Sequence, residues 1–382
     1  MMEKCEGIYL WGAGRMEPVI RDLVLPGVAI KGIVDVQAEK LREKDGLPVL
    51  PPEAAKDFDA MVVTVLHPDD IRRQYLALGY PEEKLVLPWQ GVAHDCPYLD
   101  LGKWARLLAG TEAERQRWRA ANAPYEAGVA FPVIHPAAEL LREVIRRRLS
   151  ICRFGDGEFE IMHGRNRDWY QSSSAMLTTR LRAVVQERSP RLCVCLADNF
   201  GSLAQYTEAA ADDIRAYMTQ PGVRQEIIDV LSRDVTYYDA YVTRPYLIYR
   251  DKRHAREIFA LWKQVFAGRN LLLVEGVHAR SGEGNDLFDG CASLSRILTP
   301  DAEAFSQYEE ILARVQSRAA QDTLILLRLG PAATVMARDL ALAGYQAIDI
   351  GQLDNEYDWY RLGVTARVPI PGKLTAEARG SV

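Results

Sequence analysis

Short apolar runs separated by amphipathic stretches of helical period set the strongest limit on how this chain can fold. In its later part the runs "SICRF", "RLCVCLAD", "NLLLVEG", "DTLILLRLG" and "YQAIDIG" follow one another, with helix-like segments such as "AAELLREVIRRRL", "REIFALWKQVFAG" and "AATVMARDLALAG" between them. Strands joined through helices rather than tight turns are parallel, because a parallel pair needs a long crossover. The helices then cover both faces of the sheet. The beginning of the chain repeats this on a smaller scale. "GIYLWGAGRMEPVIRDLVL" reads as strand, glycine turn and helix, and "AIKGIVD", "DAMVVTVL" and "KLVLPW" supply further strands. The expected fold class is therefore α/β, with two doubly wound, mostly parallel-sheet domains over residues 1–95 and 136–382. Residues 96–135 carry a highly charged helical middle and end in a segment with Pro and Gly, a helical linker that also offers a self-association surface for a homo-oligomer.

Charge narrows the function. Lys and Arg total 47 against 52 Asp and Glu, a net charge of −5, which argues against a general nucleic-acid binder while leaving room for a local phosphate site. No apolar run approaches the roughly 20 residues of a membrane helix, and "MMEKCEGIYLWGAG" enters a strand at once, unlike a signal peptide. The cysteines Cys5, Cys96, Cys152, Cys193, Cys195 and Cys291 lack zinc-site spacing and read as packed thiols in a reducing cytoplasm. Cys193 and Cys195 should share one face of a strand.

In doubly wound sheets ligands bind beyond the carboxyl ends of the strands, so the segments that follow each strand carry the functional information. After "SICRF" comes Gly155-Asp156-Gly157-Glu158. In an extended loop Asp156 and Glu158 would point to one side, where a hard divalent cation, Mn²⁺ or Mg²⁺, is their best partner. The flanking glycines would let a phosphate approach the backbone. The competing reading is a solvated acidic turn with Arg153 as counterion. "VEGVHARSGEGNDLF" offers Glu275, Arg280, Gly284, Asn285 and Asp286, either an anion cradle or a surface turn. In "RLGPAATVMARDL", Pro331 opens a helix whose free N–H groups favour an anion. "DIGQLDNEYDWY" clusters Asp349, Asp354, Glu356 and Asp358 with aromatic rings, a composition suited to sugars or to a general base, and equally to a strand-end loop. "YVTRPYLIYRDKRHAR", with Arg244 and Tyr246, is the most basic stretch of the larger domain.

The first domain has a separate signal. Gly12 and Gly14 with Asp35 about twenty residues on form half of a dinucleotide fingerprint, but Glu17 and Pro18 stand where its third glycine belongs. This keeps an NAD(P)-dependent oxidoreductase as an alternative.

Taken together, "RFGDGEF", "LLLVEGVHARSGEGNDLFDGCASLSRILTPDAEAF", "LLRLGPAATVMARDLALAGYQAIDIGQLDNEYDWY" and "PIPGKLTAE" resemble the GT-D fold glycosyltransferases, a bacterial family first catalogued as a domain of unknown function. The likeness runs from about Pro136 to Glu377. It implies a metal-dependent transferase that uses a nucleotide-diphosphate sugar, UDP-glucose above all. It implies that Asp156 and Glu158 hold the metal and diphosphate, and that the later loops line the donor and acceptor sites. On this reading Arg153, Arg244 and Arg280 contact the diphosphate or sugar, with Gly155, Tyr246, Glu275, Gly284, Pro331 and Gln352 also lining the substrate site. Asn285 and Asp286 meet the nucleotide or sugar hydroxyls, and, if the reaction inverts, Asp354 or Glu356 serves as base on the acceptor hydroxyl. The acceptor would be a glycan, a glycoprotein or a lipid-linked glycan, with the work done in the cytoplasm or at the inner face of the membrane. One departure stands out: Gln352 occupies the position after "DIG" where the family usually has His. An amide keeps a hydrogen bond but carries no proton, so a non-catalytic nucleotide-sugar sensor is a further alternative. The first domain resembles, more distantly, the small Rossmann-like domains attached to glycan-modifying enzymes.

Overall fold

The computed structural model describes residues 7–14, 16–65, 68–88, 96–128, 131–165, 171–368 and 370–375. Cys5 and part of the "PIPGKLTAE" motif lie outside these residues. The chain divides into two compact units, one built mainly from the residues up to Glu114 and the other from Arg115–Thr365 with Ile370–Leu374.

The first unit holds strands β1 (Ile8–Trp11), β2 (Ile30–Val34), β3 (Glu43–Lys44), β4 (Leu47–Leu50), β5 (Ala60–Val63) and β6 (Leu85–Val86). Their order is β3-β4-β2-β1-β5-β6, parallel except for the β3–β4 hairpin. That hairpin is absent from the sequence reading because "EKDGLPVL" has too few apolar residues to show a strand period.

The second unit holds β7 (Ile134–His135), β8 (Ser150–Phe154), β9 (Leu192–Leu196), β10 (Tyr237–Asp239), β11 (Asn270–Gly276), β12 (Ser293–Thr299), β13 (Leu324–Arg328) and β14 (Gln346–Asp349). They form one sheet in the order β12-β11-β13-β14-β8-β9-β10-β7, and every pairing is parallel. Alternate residues divide between two buried faces. Cys152, Phe154, Val194, Leu272, Val274, Ile325 and Leu327 join one core with the helices Ala175–Val185, Glu208–Met218, Tyr308–Arg318 and Pro331–Leu342. Leu271, Leu273, Leu324 and Leu326 are equally buried with side chains of the opposite parity. Each fully buried side chain of this size contributes about 1.5–3 kcal/mol, which is why both faces need helices. Cys193 and Cys195 are both buried, and burial pushes both thiols well up.

The order of the sheet also locates a crevice. From β11 the chain turns outward to β12, whereas from β13 it turns inward to β14. Connections that diverge from neighbouring strands leave a gap beyond their carboxyl ends, and ligands use such gaps.

Candidate active site

Three of the strands that end at this edge set their last side chains by local geometry. At β8 the chain does not run on as an extended loop. It turns directly into the helix Asp156–Met162, with Gly155 as its extended N-cap. The Gly155 N–H donates to Glu158 Oε2 at 2.8 Å, the second half of a capping box. The structure thus corrects the expectation that Asp156 and Glu158 share one side of a loop, since residues two apart on a helix diverge. Asp156 is exposed and accepts the Gly157 N–H at 3.0 Å. Glu158 is half-buried, and burial raises its carboxyl above the usual range.

Arg153 is bonded to Asp349 rather than to that turn, although its charge also acts on Glu158. Its guanidinium lies across to β14, donating to Asp349 Oδ1 at 3.0 Å and to the Asp349 carbonyl at 3.1 Å. Thr334 Oγ1, from the helix that Pro331 opens, donates to the Arg153 carbonyl at 2.8 Å. A side chain at Gly351 (φ +44°) would occupy the place of the Arg153 guanidinium, so only glycine fits there. At the end of β13, Gly330 has φ 58° and ψ −144°, a region that glycine alone enters freely, and this lets Pro331 start its helix without a loop.

A second group gathers beyond β11 and β13. Glu275 is fully buried, pairs with Arg296, and accepts the Ser281 N–H at 3.1 Å. Arg328 donates to Ser281 Oγ at 2.8 Å and to Gln352 Oε1 at 3.2 Å, and Gln352 Oε1 also accepts from Asn355 at 2.9 Å. Asp354, on the helix Leu353–Leu362, accepts from the Gly282 N–H (2.7 Å), Asn285 Nδ2 (2.8 Å) and Lys373 Nζ (2.7 Å). Asn285 and Lys373 also reach Asp358, at 2.9 and 2.6 Å. Glu356 turns to the other side of that helix and accepts the N–H groups of Tyr246 and Leu247 at 3.1 and 3.2 Å. Asp286 is held by Lys263 (2.6 Å) and the Tyr357 hydroxyl (2.8 Å), which together lower its carboxyl to about 2. The Gly284 carbonyl accepts from Arg361 at 2.8 Å.

The structure therefore brings Glu275, Asn285, Gln352 and Asp354 into one network through Arg328, Ser281 and Lys373. Arg280 stays apart: it is exposed, donates to Glu283 at 2.7 Å and reaches the Gly372 carbonyl at 3.1 Å. Gly282 sits at φ +79° against the Phe288 ring, with no room for a Cβ. Gly282→Ala is expected to cost at least about 1–3 kcal/mol through strain and overpacking, read from the denaturant midpoint.

Beside the Asp156 turn lies a third group that the sequence reading missed. Asp198 follows β9 and Asp239 ends β10. Burial first, then Asp239, raises the Asp198 carboxyl to about 7, and burial raises Asp239 to about 6. Asp198 was legible only as the last letter of "RLCVCLAD"; Asp239 ends a three-residue strand with no apolar run to announce it.

In the first unit the half fingerprint is closed by its own side chains. Asp35 is buried and accepts the N–H groups of Ala13 and Gln37, both at 2.8 Å. Glu17, fully buried in the first turn of the helix Glu17–Leu23, pairs with Arg21 at 2.6 Å and Lys44 at 3.1 Å. A buried, paired carboxylate thus stands at the place of the fingerprint's third glycine, and Asp35 is engaged by backbone N–H groups.

Asp156 and Glu158 diverge but both lie in the first turn of their helix, and a hard cation that arrives with its diphosphate needs only one or two protein carboxylates, the rest of its shell being phosphate oxygens and water. Among the described residues no group of three His, Cys, Asp or Glu side chains is placed to hold a metal ion. Likewise, no helix among them is long and apolar enough to cross a membrane.

Comparison with known proteins agrees with this geometry. The "Glycosyltransferase GT-D fold" family profile matches residues 151–378. A probable glycosyl transferase Gly of Streptococcus gordonii is 38% identical over 237 residues, 61% of this chain and 34% of that protein. The glycosyltransferase GlyD of Streptococcus pneumoniae is 36% identical over 240 residues, 63% of this chain and 29% of that protein. The chain thus spans about a third of the length of these curated relatives. A solved glycosyltransferase (DUF1792) from Streptococcus sanguinis superposes with a TM-score of 0.61 at 35% identity, covering 65% of this chain and 92% of that one. A structure of domain of unknown function 1792, described as having a distinct glycosyltransferase fold, gives 0.60 at 35% identity, covering 70% and 91%. By sequence profile, by relatives and by the parallel sheet that carries its loops, the chain belongs to the GT-D fold glycosyltransferase family.

Proposed function

We propose that this chain transfers a hexose, glucose the first candidate, from a UDP-linked sugar to a hydroxyl of a glycan, glycoprotein or lipid-linked acceptor, in the cytoplasm or at the inner membrane face. The observation that carries the reading is the placement of Asp156 and Glu158 at the carboxyl end of β8, next to the sheet edge where Asp349, Gln352 and Arg328 end or follow the neighbouring strands. Asp156 and Glu158 would hold Mn²⁺ or Mg²⁺ together with the diphosphate; when bound, the cation supplies charge neutralisation to the leaving group. Arg153 is fixed by Asp349 and keeps positive charge beneath the turn. The charges of Arg244 and Asp156 both act on the Tyr241 hydroxyl, which supports Arg244 as a diphosphate contact. Asn285 presents its carbonyl side to Leu287 and its amide to Asp354, so it shapes the sugar-facing loop more than it reaches out. Asp354 and Glu356, both buried with donors on their oxygens, hold the loops around Gly282 and Tyr246 in place; we assign them positioning rather than proton transfer.

The test is release of nucleoside diphosphate from a panel of UDP-, GDP- and dTDP-hexoses with Mn²⁺ and with a chelator, using water as acceptor. Metal-dependent release from one donor is expected. Binding of UDP without any release would instead make the chain a sensor, and neither binding nor release would overturn the reading.

A further inference from the structure

A transfer that inverts the anomeric carbon needs a protein group to take the acceptor's proton, and the described residues offer few candidates. Asp354 and Glu356 are buried and engaged, Asp349 is spent on Arg153, and the Gln352 amide does not titrate at working pH. We propose that Asp198 accepts the proton from the attacking hydroxyl. The assignment rests on the glycosyl-transfer reading above.

Register places Asp198 correctly. Phe154 of β8 is paired with Leu196 of β9, and Leu196 with Asp239 of β10. Asp156 opens the helix that follows Phe154, and Asp198 lies two residues beyond Leu196, so both carboxylates come just after the paired ends of neighbouring parallel strands. The Ala197 N–H still bonds the Phe154 carbonyl at 2.9 Å, which carries the pairing up to the residue before Asp198. Tyr241, in the tight turn after β10, reports the same proximity: its hydroxyl is pushed up by burial and by the charges of Asp239, Asp156 and Asp198, with Arg244 opposing.

The surroundings divide the labour within the pair. Asp239 is buried and saturated: it accepts the Tyr249 hydroxyl at 2.8 Å, the Tyr241 N–H at 2.8 Å, and the Asp198 N–H. Asp198 is half-buried, and its carboxylate takes a long contact from Gln205 at 3.4 Å. Its carbonyl holds the Tyr206 hydroxyl at 3.0 Å, and Tyr241 is fixed by Asn199 at 2.8 Å, so tyrosines wall the carboxylate without neutralising it. From the next segment, the His254 ring lies against Tyr249, with the ring centres 4.0 Å apart. Asp239 is the charge that acts on Asp198, and together with burial it brings the carboxyl to about 7, where a general base works best.

The step balances. The acceptor O–H bond breaks and its proton passes to the Asp198 carboxylate. The acceptor oxygen bonds to the sugar's anomeric carbon as the bond from that carbon to phosphate oxygen breaks, and the electron pair leaves with the nucleoside diphosphate.

The experiment uses the full chain with Mn²⁺ and the donor that the panel identifies, with water as acceptor. Asp198→Asn should lower kcat by about 10²–10⁴-fold and leave UDP affinity within about twofold, a split that a structural lesion would not give. Wild-type kcat should fall as pH drops through about 7, and Asp239→Asn should move that limb to lower pH, because it removes the negative charge that raises Asp198. A folding check is built in. A carboxyl raised in the folded state contributes stability at low pH that is lost as pH rises through about 7. Asp198→Asn should therefore raise Tm most near pH 8, less near pH 5, and little below about pH 4, where the carboxyl is protonated in both states. Wild-type kcat in Asp198→Asn, or a limb near pH 7 that Asp239→Asn leaves in place, would overturn the assignment alone. Absence of turnover by the wild-type chain with every donor would overturn the transfer reading and this assignment with it.

Discussion

Lys373→Met should destabilise the second unit by about 3–5 kcal/mol, the cost of removing one partner from a buried ion group. Lys373 is 4% exposed between Asp354 (0%) and Asp358 (9%), and it donates to both. Methionine fills much the same volume but leaves two carboxylates facing each other in a medium that solvates neither. Asp354 keeps the Gly282 N–H and the Asn285 amide, which lessens the loss, while Asp358 keeps Asn285. The measurement is the denaturant midpoint at constant slope, together with amide exchange at Gly282, which should speed up. A surface control is at hand: Arg253 and Asp251 are bonded at 2.7 Å but are 91% and 54% exposed, so Arg253→Met should leave the midpoint in place. An unchanged midpoint for Lys373→Met would show that the carboxylates find other partners.

Asp156→Asn should reduce metal-dependent nucleoside diphosphate release by about 10²–10³-fold, the usual range for losing one preorganised electrostatic contact to a developing charge. Asp156 is exposed, so the fold should be unaffected. Glu158 has two tasks and needs two variants. Glu158→Gln can still accept the Gly155 N–H through its carbonyl oxygen and tests the charge alone. Glu158→Ala also removes the cap, at about 1 kcal/mol. Equal, large losses of release in Asp156→Asn and Glu158→Gln with unchanged stability would support cation binding by the pair. If Asp156→Asn kept full metal-dependent turnover, the proposed metal site would be wrong.

Most of the frame could be read from residues alone. The apolar runs at β8, β9, β11, β13 and β14 are each bounded by turn residues and separated by helical periods, and they form the middle of a parallel sheet. Proline at position 331 fell at a helix start, because proline's missing N–H acts locally. What escaped was either too short or too long in range. The strands β7 and β10 have two and three residues and gain their backbone partners only from the sheet beside them. The glycines around Asp156 suggested an open loop, yet Phe159, Ile161 and Met162 bury a helical face that overrides that local freedom.

Sequence by itself determined which chemistry was available: paired carboxylates after a strand, arginines at the ends of strands, and an amide rather than a titratable group at position 352. It did so because strand periodicity and turn chemistry act over a few residues. Tertiary structure alone decided which of those groups is engaged. Arg153 went to Asp349, 196 residues away, and Asn285 and Lys373 closed on Asp354 from opposite directions in the chain. It also set Asp198 beside Asp239. Whether a carboxylate is neutralised, desolvated or left to react depends on neighbours brought from elsewhere in the chain, and only the packed sheet specifies those.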